Sequence, residues 1–114
     1  MHELSIAMSI VEIAEEEAKK AGASRIEAID LEIGTLSGIV MEALDFAWEA
    51  AVKESMLEGA EKRVHTVKAR AKCLDCNREF DAKTLFDACP SCGSYFTTLL
   101  RGKEMKIKSI TLET

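Results

Sequence analysis

Four cysteines stand in two pairs of identical spacing, Cys73-Leu-Asp-Cys76 and Cys89-Pro-Ser-Cys92, with twelve residues between the pairs. Each pair is a tight turn that offers two thiolates. Two such turns brought together present four sulfurs, which suits tetrahedral zinc. The connection is a little shorter than in the general zinc pattern, but ample for a hairpin. Gly93 after Cys92 and Asn77 after Cys76 are the residue types that tolerate the left-handed backbone a thiolate turn needs. Iron in a rubredoxin-like site, a redox dithiol and two disulfides are the rivals, and four thiolates alone do not separate zinc from iron. With every position filled by protein, such a metal stabilises folding rather than catalyses.

The second chemical group lies at the start of the chain. A terminal residue is by default frayed and idle. Yet the amine of Met1, the amide nitrogen of His2 and the imidazole of His2 can close adjacent chelate rings on one metal, and the Glu3 amide can add a fourth nitrogen. Nitrogens in a plane suit Ni(II) or Cu(II). The arrangement requires that Met1 be kept with its amine free, as expected when the second residue is as large as His. The other histidine, His65, reads as a half-exposed strand residue. The run Cys89-Pro-x-Cys92-Gly93 resembles the knuckle of zinc ribbons.

These groups need elements to position them. Leu4, Ala7, Met8, Val11, Ala14 and Ala18 recur at helical steps, so residues 3–21 read as an amphipathic helix, widened by Ile6, Ile10 and Ile13. Glu15 and Glu16 precede Lys19 and Lys20 by four residues, the favourable order for helix ion pairs, and Gly22 is a stop. Residues 25–33 alternate as a strand with Ile29, Leu31 and Ile33 on the covered face. A second helix is expected near 41–55, with Leu44, Trp48 and Ala51 in one stripe and Phe46 beside it. Residues 63–72 read as a poorly alternating strand. The segment from Cys73 to Leu100 reads as a separate lobe whose small core is Phe80, Phe86, Tyr95 and Phe96. Met105 to Leu112 is a strand whose apolar phase changes between Ile107 and Ile110, as at a bulge. It is too polar to stand alone, so it is expected to return to the first sheet and leave the cysteine lobe as an insertion.

Composition narrows the function classes. The chain has 114 residues, 47% hydrophobic and 31% charged, which excludes disorder as the main state. No apolar run reaches the roughly 18 residues of a membrane span. The start lacks the features of a signal peptide, so a cytoplasmic location is expected, where thiols bind metal in preference to forming disulfides. Residues 1–62 carry a net charge of −9 and residues 63–114 a net of +4. Four thiolates on a divalent ion reduce the second figure, and the aromatic residues do not interleave with the basic ones. Nucleic-acid binding is therefore the weaker reading, with a zinc-ribbon adaptor as the alternative function. No nucleophile–base pair and no phosphate loop point to an enzyme.

Met1-His2-Glu3-Leu4-Ser5, Leu31-Glu-Ile-Gly-Thr-Leu-Ser-Gly38, Glu42-Ala-Leu-Asp-Phe-Ala47, the two cysteine pairs and Lys106-Ile-Lys-Ser-Ile110 occur in one order. Together they resemble the HypA/HybF family of nickel-insertion proteins in [NiFe]-hydrogenase maturation, over nearly the whole chain. The resemblance implies a nickel metallochaperone, not an enzyme. It implies an α+β fold of two helices packed on a small three-stranded sheet, with an inserted zinc-ribbon lobe: residues 1–68 plus 103–114 for nickel and 69–102 for zinc. It implies Ni(II) as cargo held by Met1, His2 and Glu3, with His2 essential, and structural Zn(II) on Cys73, Cys76, Cys89 and Cys92. The implied partners are the GTPase HypB and the hydrogenase large subunit, with urease maturation proteins for some members. Neither nucleic acid nor membrane is expected, and the state is monomer or homodimer.

Overall fold

The computed structural model describes residues 3–113. They form two compact units. One comprises the described parts of Met1–Glu32, Ile39–His65 and Lys106–Thr114; the other comprises Ile33–Gly38 and Thr66–Met105.

The first unit contains helix α1 (Glu3–Lys20), strand β1 (Arg25–Gly34) through Glu32, helix α2 (Met41–Ala51), strand β2 (Glu61–Val67) through His65, and most of a final strand, Met105–Glu113, here β6. The sheet has the order β2-β1-β6, so β1 is central and the C-terminal strand returns beside it. α1 ends in a Schellman motif: Ala23 N–H donates to the Ala18 carbonyl and Gly22, at φ 75°, donates to Lys19. Its buried stripe is Ala7, Ile10, Val11, Ala14 and Ala18, whereas Leu4, Met8 and Ile13 are exposed. The small alanines let α1 approach its neighbours closely, and that turns the stripe away from Leu4 and Met8. The expected ion pairs of Glu15 and Glu16 do not form. The carboxylate of Glu15 accepts the Met56 N–H instead, at 3.0 Å, and Lys20 pairs with Glu17.

α2 is shorter than expected. Ser55 turns its hydroxyl onto the Val52 carbonyl at 2.7 Å and accepts the Leu57 N–H. That bond takes the acceptor on which a further helical turn would build. The loop then buries Leu57 completely. On the sheet, Ile29, Leu31 and Ile33 are buried as the alternation predicts, but Ile26, Ala28 and Asp30 are buried too. A central strand has both faces covered, and simple alternation describes an edge or a one-sided sheet. The half-buried residues of β6 are Ile107, Ile110 and Leu112, which keeps the change of phase.

The second unit holds β3 (Arg70–Cys73), β4 (Glu79–Asp81) and β5 (Thr97–Arg101) in the order β4-β3-β5, both pairs antiparallel. The single strand read over 63–72 is therefore two strands in two sheets. Residues 33–38 join this unit through backbone bonds. Thr35 N–H donates to Val67, Leu36 N–H to Gly102 at 2.7 Å, and Ala69 N–H to the Thr35 hydroxyl. A side chain at Gly34 would meet the Gly102 carbonyl oxygen at 2.0 Å, so only glycine allows this approach. The core is small: Ala69, Ala71, Cys73, Phe80, Ala82 and Cys89, with Leu36 and Leu99 against it. Phe86, Tyr95 and Phe96, expected in that core, are exposed. Ala71, Cys73 and Phe80 already fill the inward positions of this very small sheet, and the other aromatics fall on loops or on the opposite face. Among the described residues no helix is long and apolar enough to cross a membrane.

Candidate metal centre

β3 ends at Cys73, and the first turn follows directly. Asn77 N–H donates to the Cys73 carbonyl at 2.9 Å, and Cys73 N–H donates to Arg78 at 2.8 Å. The second turn repeats these offsets: Gly93 N–H to Cys89 and Cys89 N–H to Ser94, both at 2.8 Å. Asn77 and Gly93 take φ values of 64° and 75°, so the two residues chosen by position from sequence do the same backbone task. Cys73 and Cys89 are buried, and Cys76 and Cys92 are exposed.

The four sulfurs lie within 4.8 Å of one another. Sγ of Cys73 is 3.5 Å from that of Cys92, and Sγ of Cys76 is 3.7 Å from that of Cys89. A tetrahedron with metal–sulfur bonds of about 2.3 Å has edges of roughly 3.8 Å, so the arrangement fits one tetrahedral ion. A disulfide needs sulfurs about 2.05 Å apart, and all four cysteines are free.

Electrostatics supports this reading. The backbone amide of Cys92 donates to the Cys89 sulfur, outweighing desolvation, and with the amide of Ser91 lowers that thiol to about 7. The Ser94 amide favours the Cys92 thiolate. The adjacent Cys73 thiol and desolvation outweigh it, and Cys92 is pushed up to about 12. Cys76 is also raised: the Arg78 amide helps it ionise, but desolvation and the sulfurs of Cys89 and Cys73 prevail. Thiolates this close repel one another, so all four ionise together only around a cation.

Of the N-terminal ligands, Met1 and His2 lie outside the described residues. Glu3 is the first residue of α1, and one oxygen of its carboxylate accepts the Val40 N–H at 3.2 Å. Val40 is the N-cap of α2 and supplies no side-chain cap itself. Glu3 thus satisfies an orphan donor and puts negative charge at the positive end of a helix.

His65 lies on β2, and its Nε2 is 2.7 Å from Asp30 of β1. Asp30 also accepts both arms of Arg63, at 2.9 and 3.0 Å, and the Ser109 hydroxyl of β6 at 3.3 Å. Lys62, next along β2, lies over the Trp48 ring on the helix side, so Arg63 and His65 point to the other face. Hydrogen bonds from Arg63 first, then from His65, hold the Asp30 carboxyl well below the usual carboxylate range. This network ties the three strands and was not read from sequence. Its signals were an Asp between Ile29 and Leu31 and an Arg-x-His pair at strand spacing.

A family model described as "Hydrogenase/urease nickel incorporation, metallochaperone, hypA" matches residues 1–112. The chain is 48% identical over 113 residues to the hydrogenase maturation factor HypA of Parabacteroides distasonis, covering 99% of this chain and 98% of that one. It is 42% identical over 113 residues to HypA of Geobacter metallireducens, covering 99% and 100%. The solution structure of the Ni metallochaperone HypA from Helicobacter pylori superposes with a TM-score of 0.71 at 30% identity, covering 98% of this chain and 97% of that one.

Proposed function

Because this chain belongs to the HypA family of hydrogenase/urease nickel-incorporation metallochaperones, we propose that it binds Ni(II) at its N-terminus and delivers it to the large subunit of a [NiFe]-hydrogenase. The family is one of metal carriers, not enzymes. The observation that carries the proposal is a family match that begins at residue 1, where Met1-His2-Glu3 offers amine, amide and imidazole nitrogens in sequence. Nitrogens in a plane suit Ni(II). α1 starts at Glu3. The partial positive charge at that helix end opposes a cation. Ionised amide nitrogens offset it, and the balance leaves a site that holds its cargo yet gives it up. The Glu3 carboxylate accepts the Val40 N–H at the start of α2, and the residue joins the proposed site through its backbone nitrogen.

The second metal is Zn(II) on Cys73, Cys76, Cys89 and Cys92, where it holds the ribbon folded. Nickel handling belongs in this reading to the unit built on α1, α2 and the β2-β1-β6 sheet, and zinc to the unit that holds the four cysteines. Delivery proceeds with the GTPase HypB, in the cytoplasm, by stepwise exchange of nitrogens for the acceptor's ligands, and the same cargo suits urease maturation. Complementation of cells lacking the protein tests this. His2→Ala is expected to abolish hydrogenase activity at limiting nickel and to be rescued by excess nickel. Full activity of His2→Ala at limiting nickel overturns the proposal.

A further inference from the structure

The outer face of the ribbon carries an apolar strip with a cation at its centre. Lys72 of β3 pairs with Thr98 of β5. A hydrogen bond from Leu74 N–H to the Phe96 carbonyl, at 2.9 Å, extends that ladder and sets Leu74 across from Phe96. Ala71 and Cys73 are buried on the inner face, so alternation turns Lys72 and Leu74 outward. Leu100 is the extra residue where the β3–β5 register shifts, and it too is exposed. Exposure is 46% for Leu74, 65% for Phe96 and 44% for Leu100. Apolar side chains left in water beside one another mark an interaction surface more often than isolated ones do.

The strip is held ready. The Ser94 hydroxyl donates to Asp75 and accepts the Phe96 N–H, fixing the chain that presents Phe96. A face already ordered loses little entropy on binding.

Charge specifies the partner. The acids of this unit are engaged internally: Glu79 and Asp81 by Arg70, Asp75 by Ser94, Asp87 by Thr84, and Glu104 by the Gly102 N–H. Among the described residues Lys72 has no ion-pair partner. Arg70 is the one cation of this unit that is paired with an acid there.

We propose that this face docks an acidic, apolar-anchored segment of another protein, with its apolar side chains over Leu74, Phe96 and Leu100 and a carboxylate on Lys72. A nucleic acid is disfavoured because the strip offers one cation, Lys72, whereas a phosphate backbone is held by several. The inference does not depend on nickel at the N-terminus.

The test uses the zinc-loaded full chain and three fluorescent probes: a peptide of alternating Leu and Glu, its Leu–Lys counterpart, and oligouridine RNA. The Leu–Glu peptide is expected to bind, and Phe96→Ser with Leu100→Ser to weaken it by about tenfold or more. Lys72→Glu is expected to weaken the acidic peptide and favour the basic one. Unchanged zinc content shows that the variants remain folded. Equal binding of the two peptides, no binding, RNA binding lost in the same variants, or self-association through the same residues in sedimentation would each overturn the proposal.

Discussion

The two units keep their folds by different means. The first buries Ile26, Ile29, Leu31, Leu44 and Leu57 almost completely, with Trp48 beside them. The second has two large buried side chains outside its cysteines, Phe80 among alanines and Ile33 at the end of β1. Fully burying a large apolar side chain contributes about 1.5–3 kcal/mol, so the first unit has a core of ordinary strength and the ribbon does not. A small lobe in that position depends on a staple. Exposed apolar side chains do not separate the two: the first unit shows Leu4, Met8, Ile13 and Phe46 to solvent, and the second shows Phe86, Tyr95 and Phe96.

The comparison is broken most severely at the metal. Cys89→Ser, or removal of zinc by a chelator, is expected to unfold the ribbon while the helices of the first unit persist. Amide exchange resolved by residue reads this directly, and loss of protection throughout both units would show that the staple serves the whole chain. Leu44→Ala should do the reverse. It is expected to cost about 2–5 kcal/mol in denaturant unfolding of the first unit, with four thiols per chain still bound to metal.

Gly102→Ala comes next. Gly102 has φ 121°, and a side chain there would meet the Ala69 Cα at 2.5 Å. The backbone strain costs of order 1–3 kcal/mol. The expected result is weaker retention of zinc against a competing chelator, with Trp48 fluorescence unchanged.

Asp30→Asn has the smallest expected effect, and it is best seen against pH. Asp30 is held ionised by Arg63 and His65, so its folded pKa is lowered. A lowered carboxyl gives stability that is complete above the unfolded value of about 4 and is lost as pH falls toward the folded one. Melting of the first unit, followed by Trp48, should therefore decline less between pH 6 and pH 3 in Asp30→Asn than in the native chain. Parallel declines would mean that the network does not stabilise the sheet.

The cysteine centre was legible because its chemistry is local: two turns, each with a residue tolerant of positive φ, fix four sulfurs from short stretches of chain. The return of the last strand was legible from polarity, since Met105–Glu113 cannot fold alone. What sequence concealed depends on partners distant in the chain. Asp30 read as an outward polar residue because its ligands, Arg63, His65 and Ser109, lie on two other strands. The break between Val67 and Arg70 was hidden because both sides favour strand, and only the bonds of Val67 and Ala69 to Thr35 separate them. Phe96 and Phe80 are alike in type, and the ladder register alone decides which faces in.

Nickel titration of the zinc-loaded chain with a native start, beside His2→Ala and a version extended before Met1, asks whether the N-terminus holds the cargo. One nickel is expected for the native chain, with that binding lost in both variants and zinc retained in all three. Equal nickel binding by all three would place the cargo elsewhere and overturn the proposal.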